Sequence, residues 1–206
     1  VRQKLFMVDC GEGTQMQLRR SHIRFLNIRC VFISHLHGDH CFGLVGMLST
    51  FGMLGRTMPL HIYAPTDMEP LLALEKQLFL QGLTYEVVFH GVDTKTQKVV
   101  YEDRSLTVET LPLRHRVPCC GYLFREKPTL PHIRRDMIDY LNIPFSQINN
   151  IKNGADWTTE DGKTISNNRL VLTADAPRSY AYCSDTCYLP KLHERIKGVN
   201  LLYHES

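Results

Sequence analysis

The chain alternates short apolar runs with polar and glycine-rich breaks, and the run lengths predict its elements. Residues 4–9 and 28–34 are apolar stretches of strand length. Gly11-Glu12-Gly13 closes the first in a turn, and Thr14 is placed to cap a helix through Arg20. Phe42, Leu44, Val45, Met47 and Leu48 lie on a helix predicted to start near Asp39 and to run to about Thr50. Residues 60–64 read as a strand and 67–80 as an amphipathic helix. Residues 85–89, 98–101, 105–113 and 120–124 read as strands, and 104–110 alternates as a half-buried strand does. Strands return at 179–184 and 199–204, with a helix near 190–197 between them. Over 127–168 core-like runs become scarce and Pro, Asn and Gly collect, predicting an inserted excursion with one short helix near 134–141. Strands interleaved with helices argue for α/β layers.

Composition narrows the class. With 206 residues, 43% hydrophobic and 22% charged, the chain can bury one core. We expect a single domain over 1–206 that contains the excursion. No apolar run approaches the ~20 residues of a membrane span, and no secretory signal leads the sequence. The chain has no initiator Met and stops at a strand, so the expectation is a fragment truncated at both ends. A net charge of +3, from 24 basic and 21 acidic residues, says little about nucleic acid. Seven cysteines, irregularly spaced and without a CxxC, fit reduced, mostly buried thiols in the cytoplasm better than a disulfide framework.

His35-Leu36-His37-Gly38-Asp39-His40 carries the strongest chemical signal. At a strand end, residues two apart face one side, so His35 and His37 present their imidazoles together. Gly38 permits a sharp turn, and Asp39 and His40 then start a helix that points back to the same place. Imidazole nitrogen and carboxylate oxygen suit zinc, although manganese or iron would accept the same donors.

The hexapeptide matches the HxHxDH signature of the metallo-β-lactamase superfamily. Further segments, in order, resemble the ribonuclease Z family: Asp9-Cys10-Gly11-Glu12-Gly13-Thr14-Gln15, then Phe42-Gly43-Leu44-Val45-Gly46 after the histidines. His115-Arg116-Val117-Pro118 with Gly121-Tyr122, Ser184-Asp185-Thr186 and His204-Glu205 complete the set. The resemblance implies an αββα sandwich of two mixed sheets flanked by helices, with metals at strand ends along one edge. It implies two zinc ions per subunit: His35, His37 and His115 on the first, Asp39 and His40 on the second, and Asp185 bridging both. The reaction it implies is removal of the 3′ trailer of precursor tRNA by a metal-activated hydroxide. Asp39 would handle a proton, and His204 and Glu205 would protonate the leaving group. A cytoplasmic homodimer is implied as well. The family's N-terminal strand and glycine-rich loop have no counterpart here, nor does the C-terminal segment that gives the second zinc a further histidine. Asp9 fits either a loop-capping carboxylate or a partner that orients a ligand histidine.

The excursion stands where the family carries an arm that grips tRNA. Its Arg125, Lys127, Arg134, Arg135, Lys152 and Lys163 are candidate RNA contacts; a solvated insertion is the plainer reading. Leu141-Asn142-Ile143-Pro144 and Ile151-Lys152-Asn153-Gly154 follow the arm's pattern, while Phe145-Ser146 replaces its Gly-Pro pair. Arg19, Arg20 and Arg24 suit a substrate path or a solvated helix face equally. Two alternatives remain at this level: a hydrolase of the same fold acting on small esters or phosphodiesters, and a non-catalytic zinc- or RNA-binding fragment.

Overall fold

The structure, a computed structural model, describes residues 4–205; residues 1–3 and 206 of the expected domain lie outside them. The chain opens with β1 (Leu5–Val8), α1 (Thr14–Arg20), β2 (Ile28–Phe32), α2 (Gly38–Cys41), α3 (Gly43–Met53), β3 (Leu60–Pro65), α4 (Glu69–Phe79) and β4 (Val87–Val92). β5 (Val99–Glu102), β6 (Leu106–Pro112) and β7 (Cys120–Glu126) follow. Short elements come next: β8 (His132–Ile133), α5 (Arg135–Tyr140), α6 (Ile148–Lys152), β9 (Trp157–Thr158), β10 (Thr164–Ile165), α7 (Asn167–Leu170) and β11 (Val171–Leu172). The last elements are β12 (Ser179–Cys183), α8 (Leu192–Arg195) and β13 (Leu201–His204).

Two compact units result among the described residues, one of residues 4–125 with 179–205 and one of residues 126–178. In the first, β1-β2-β3-β4 form a sheet whose neighbours all pair in parallel. The second sheet, β13-β12-β7-β6-β5, is mixed: β12 runs parallel to β13 and antiparallel to β7. Only this second sheet is therefore mixed, where the expectation had both sheets mixed.

β2 shows why the sheets stack. It is apolar on both faces, as a strand covered twice must be. Val31 and Ile33 join a core with Leu44, Met47, Leu48 and Phe51 of α3. Cys30 and Phe32 point the other way, into a core with Val108, Cys120 and Tyr122 of the opposite sheet. Behind that sheet, Leu192 of α8 packs on Leu111, Leu123, Ala181 and Cys183. The layers are thus helix, sheet, sheet, helix. Among the described residues, no helix is long and apolar enough to cross a membrane.

Three local expectations are corrected. The excursion, expected with one short helix near 134–141, holds α5, α6 and the start of α7. Thr14 does not cap α1: Gly13 occupies that position with φ +75°, a conformation glycine adopts without strain, and no side chain caps the end. The strand expected at 85–89 is β4, set two residues later. Tyr85 belongs to the helical side, where its hydroxyl donates to Leu48 O at 2.8 Å.

The second unit has its own small core of Ile143, Ile151, Ile165 and Leu170, with Trp157 and Met137 against it. Antiparallel pairs β8–β11 and β9–β10 frame it, and Asn167 Nδ2 ties the unit by donating to Ile151 O and Ala155 O.

Candidate metal centre

The site forms where the ends of β1, β2 and β12 meet. Asp9 follows β1 in the left-handed region at φ +58°, one of the few conformations outside glycine that Asp tolerates. Its backbone donates to Phe32 O, and Cys10 N donates to His40 O at 2.7 Å. Gly11 lies so close to the histidine loop that a Cβ would stand 1.9 Å from Asp39 O. Gly43 is held equally tightly, with its Cβ position 2.0 Å from Gly11 O. The two glycine-bearing segments read in the sequence are therefore one packed assembly.

Three imidazoles converge. His35 Nε2 lies 3.0 Å from His37 Nδ1, and His115 Nε2 lies 3.3 Å from the same atom. Asp185 joins them through Oδ2, 3.5 Å from His115 Nε2 and 3.9 Å from His35 Nε2. Its other oxygen reaches 3.7 Å from His40 Nε2. His35, His37, His115 and Asp185 form one donor group, and His40, Asp185 and Glu205 a second that shares Asp185.

Asp39, expected with His40, stands outside both groups: its side chain is 78% exposed, with Oδ2 3.5 Å from His40 Nε2. Glu205 is inside the second group. His204 is exposed and lines a groove with Thr186, Tyr188 and His193. Consecutive strand residues face opposite ways, so His204 and Glu205 part company there.

Asp9 organises the site. Its Oδ1 accepts from Ser34 N at 2.7 Å. Its Oδ2 meets Ser34 Oγ at 2.9 Å, His40 Nδ1 at 2.8 Å and the Tyr182 hydroxyl at 2.8 Å. The Asp9 carboxylate is the main reason the His40 imidazole is shifted upward in pKa. It holds the proton on Nδ1 and leaves Nε2 free toward Asp185. His35 is held by Ser34 Oγ at 2.9 Å on Nδ1, and burial, then His40, lowers its pKa to about 4. An unprotonated imidazole is the form that binds a metal.

Glu205 Oε1 accepts from the Tyr203 hydroxyl at 2.8 Å. Its Oε2 is buried without a hydrogen-bond partner. Asp185 beside it raises the Glu205 carboxyl, and Glu205 in turn lowers Asp185. A buried acceptor with no donor is costly unless a cation meets it. Nitrogens 3.0–3.3 Å apart also suit a tetrahedral ion with ligands at ~2.0–2.1 Å. The donor set fits a metal.

Tyr182, Ser34 and Arg116 were not singled out in the sequence as parts of the site. Arg116 Nε contacts His37 Nε2 at 3.2 Å. Its place next to His115 was the available signal. Of the candidate RNA contacts, Arg125 faces Glu109 at 3.8 Å from the end of β7. Lys127, Arg134, Arg135, Lys152 and Lys163 belong to the second unit, where Arg134 holds Asp136 at 2.7 Å.

Stacked sheets between helices, with histidines and carboxylates gathered at strand ends, define a metal-using hydrolase of the metallo-β-lactamase fold. Residues 1–130 match the family model described as anti-Pycsar protein Apyc1. Ribonuclease Z of Phocaeicola vulgatus is 56% identical over all 206 residues, which cover 67% of that protein. Ribonuclease Z of Bacteroides fragilis is 55% identical, with 68% of it covered. Human tRNase Z, short form, superposes with a TM-score of 0.56 at 29% identity, over 62% of this chain and 55% of that one. A metallo-β-lactamase-fold protein of Bacillus subtilis, at 15% identity, shares the fold with a TM-score of 0.54 over 98% of the chain and 58% of its own. The chain belongs to the ribonuclease Z family.

Proposed function

We propose that the protein is a zinc-dependent endoribonuclease that removes the 3′ trailer from precursor tRNA. The observation that carries the reading is Asp185, whose two oxygens face two separate donor groups, the arrangement a binuclear hydrolytic site requires. The names of the relatives support the substrate.

His35, His37, His115 and Asp185 would hold one zinc. His40 and Asp185 would hold the other, with Asp39 beside His40 and Glu205 in reach. When bound, such a pair supplies Lewis acidity that makes water nucleophilic near neutral pH and offsets the charge of the scissile phosphate. Asp9 keeps the His40 proton at Nδ1, Ser34 positions the ring of His35, and Asp39, open to solvent, takes up a proton. We assign Glu205, its carboxyl raised by Asp185, to deliver a proton to the departing 3′ oxygen; His204, turned to the neighbouring groove, is left without that role. Arg125, Lys127, Arg134, Arg135 and Lys152 would grip the tRNA body. The six buried free thiols support a reducing, cytoplasmic setting. Homodimerisation follows from the family resemblance, and light scattering in solution measures it.

The direct test is an unmodified precursor tRNA with a 3′ trailer, incubated with the zinc-loaded protein and with Asp39→Ala. A single cut at the 3′ end of the acceptor stem, absent in the variant, is expected. Intact precursor beside folded, zinc-loaded protein would overturn the reading.

A further inference from the structure

Beside the donor groups lies a cavity of about 450 Å³ that the metal chemistry does not use. Lys95, Arg114, His115 and Arg116 line it, together with Thr94 and Pro118. No Asp or Glu is among its lining residues. Asp93, the acid next to Lys95 in the chain, is taken up within its own turn by Lys95 N and Thr96 Oγ1. His115 is a common wall: it faces the cavity, and its Nε2 faces Asp185 and His37.

Arg116 spans the two spaces. Its Nε donates to His37 Nε2 at 3.2 Å, on the ring edge away from the Nδ1 that faces His35 and His115. The same exposed side chain lines the cavity, where its guanidinium can meet an anion. Arginine's planar fork matches phosphate oxygens in pairs.

We propose that this cavity is a second phosphate subsite, which takes the backbone phosphate adjoining the one that is cut, gripped by Arg116 with Arg114 and Lys95 behind it. The inference rests on the phosphodiesterase reading above. It makes the adjoining phosphate a determinant of cleavage, independent of base identity.

The test is a double-mutant cycle between protein and RNA. Precursors are made with a neutral methylphosphonate replacing the phosphate on the 5′ or the 3′ side of the cut. At one of these positions the neutral group lowers kcat/KM for the unaltered protein about tenfold, the scale of one charge-assisted hydrogen bond. Arg116→Ala costs a similar factor on the ordinary precursor, and variant and neutral group together cost no more than either alone. Arg116→Lys, which keeps the charge without the fork, falls between. Zinc content of each variant, measured in parallel, confirms that the donor groups are intact. Independent, multiplying losses at both positions, or no loss with Arg116→Ala, overturn the subsite while leaving the ribonuclease reading standing. An ordinary precursor left uncut by the unaltered protein overturns both.

Discussion

Asp9→Asn isolates the role of a single charge. The side chain is 9% exposed and meets four donors. Asn keeps its size and tolerates the φ of +58°, so the backbone has no reason to move. The amide NH2 must then face either Ser34 N, a fixed donor, or the three groups on Oδ2. Ser34 Oγ and the Tyr182 hydroxyl can rotate to accept, but His40 Nδ1 can accept only by moving its proton to Nε2. That proton would point at Asp185 and block the nitrogen that would bind a metal. In either orientation one buried donor faces another, at a cost of about 1–3 kcal/mol in stability. Outer partners of ligand histidines typically set metal affinity by about 10–100-fold. Competition with a chromophoric chelator should therefore show one of two zinc ions weakened by that factor, while the ion on His35, His37 and His115 is less affected. Urea unfolding gives the stability term. Two zinc ions held as tightly as before would refute the tautomer argument, whatever happened to stability.

Other outcomes follow from the same geometry. Gly11→Ala puts a Cβ 1.9 Å from the Asp39 carbonyl, a backbone atom that cannot step aside, so soluble yield and zinc content should collapse together. Gly121→Ala, with its Cβ 2.3 Å from Tyr182 O, should unfold at markedly lower urea by circular dichroism. His61 Nδ1 and His90 Nε2 are 2.9 Å apart, and burial, then His61, lowers the pKa of His90. The unfolded chain therefore takes up the proton first, and stability should fall as pH drops below about 6.5. His90→Phe, which keeps a ring on Tyr63, should flatten that part of the Tm–pH curve; an unchanged slope would exclude the pair as its source. Of seven cysteines only Cys187 is exposed, so Ellman's reagent should titrate one thiol in the folded protein and seven in guanidinium.

The parts of this site that were legible in the sequence are those that are local. His35 and His37 converge because a strand end repeats every two residues, and β2 announced its double burial by being apolar on both faces after Arg29. The ordered segments supplied His115 and Asp185, which no local pattern could join to residues far away in the chain. What could not be read depends on distant partners. The Asp9 cluster needs Tyr182, 173 positions away. The inclusion of Glu205 depends on where β13 lies against β12. The far end of β4 was hidden because His90 and Gly91 interrupt its apolar run, although its pairing with β3 continues through both.

That long tether has a kinetic meaning. Asp9 leaves the first sheet and Tyr182 the second, and Asp185 lies three residues beyond Tyr182. A nascent chain that has not yet reached Asp185 can form the first sheet, yet it presents the histidines without the carboxylate that couples the two donor groups. Contacts of such sequence separation form late, after their loop-closure cost has been met. Metal capture by the complete set would thus come late on the folding route, after one sheet has docked upon the other.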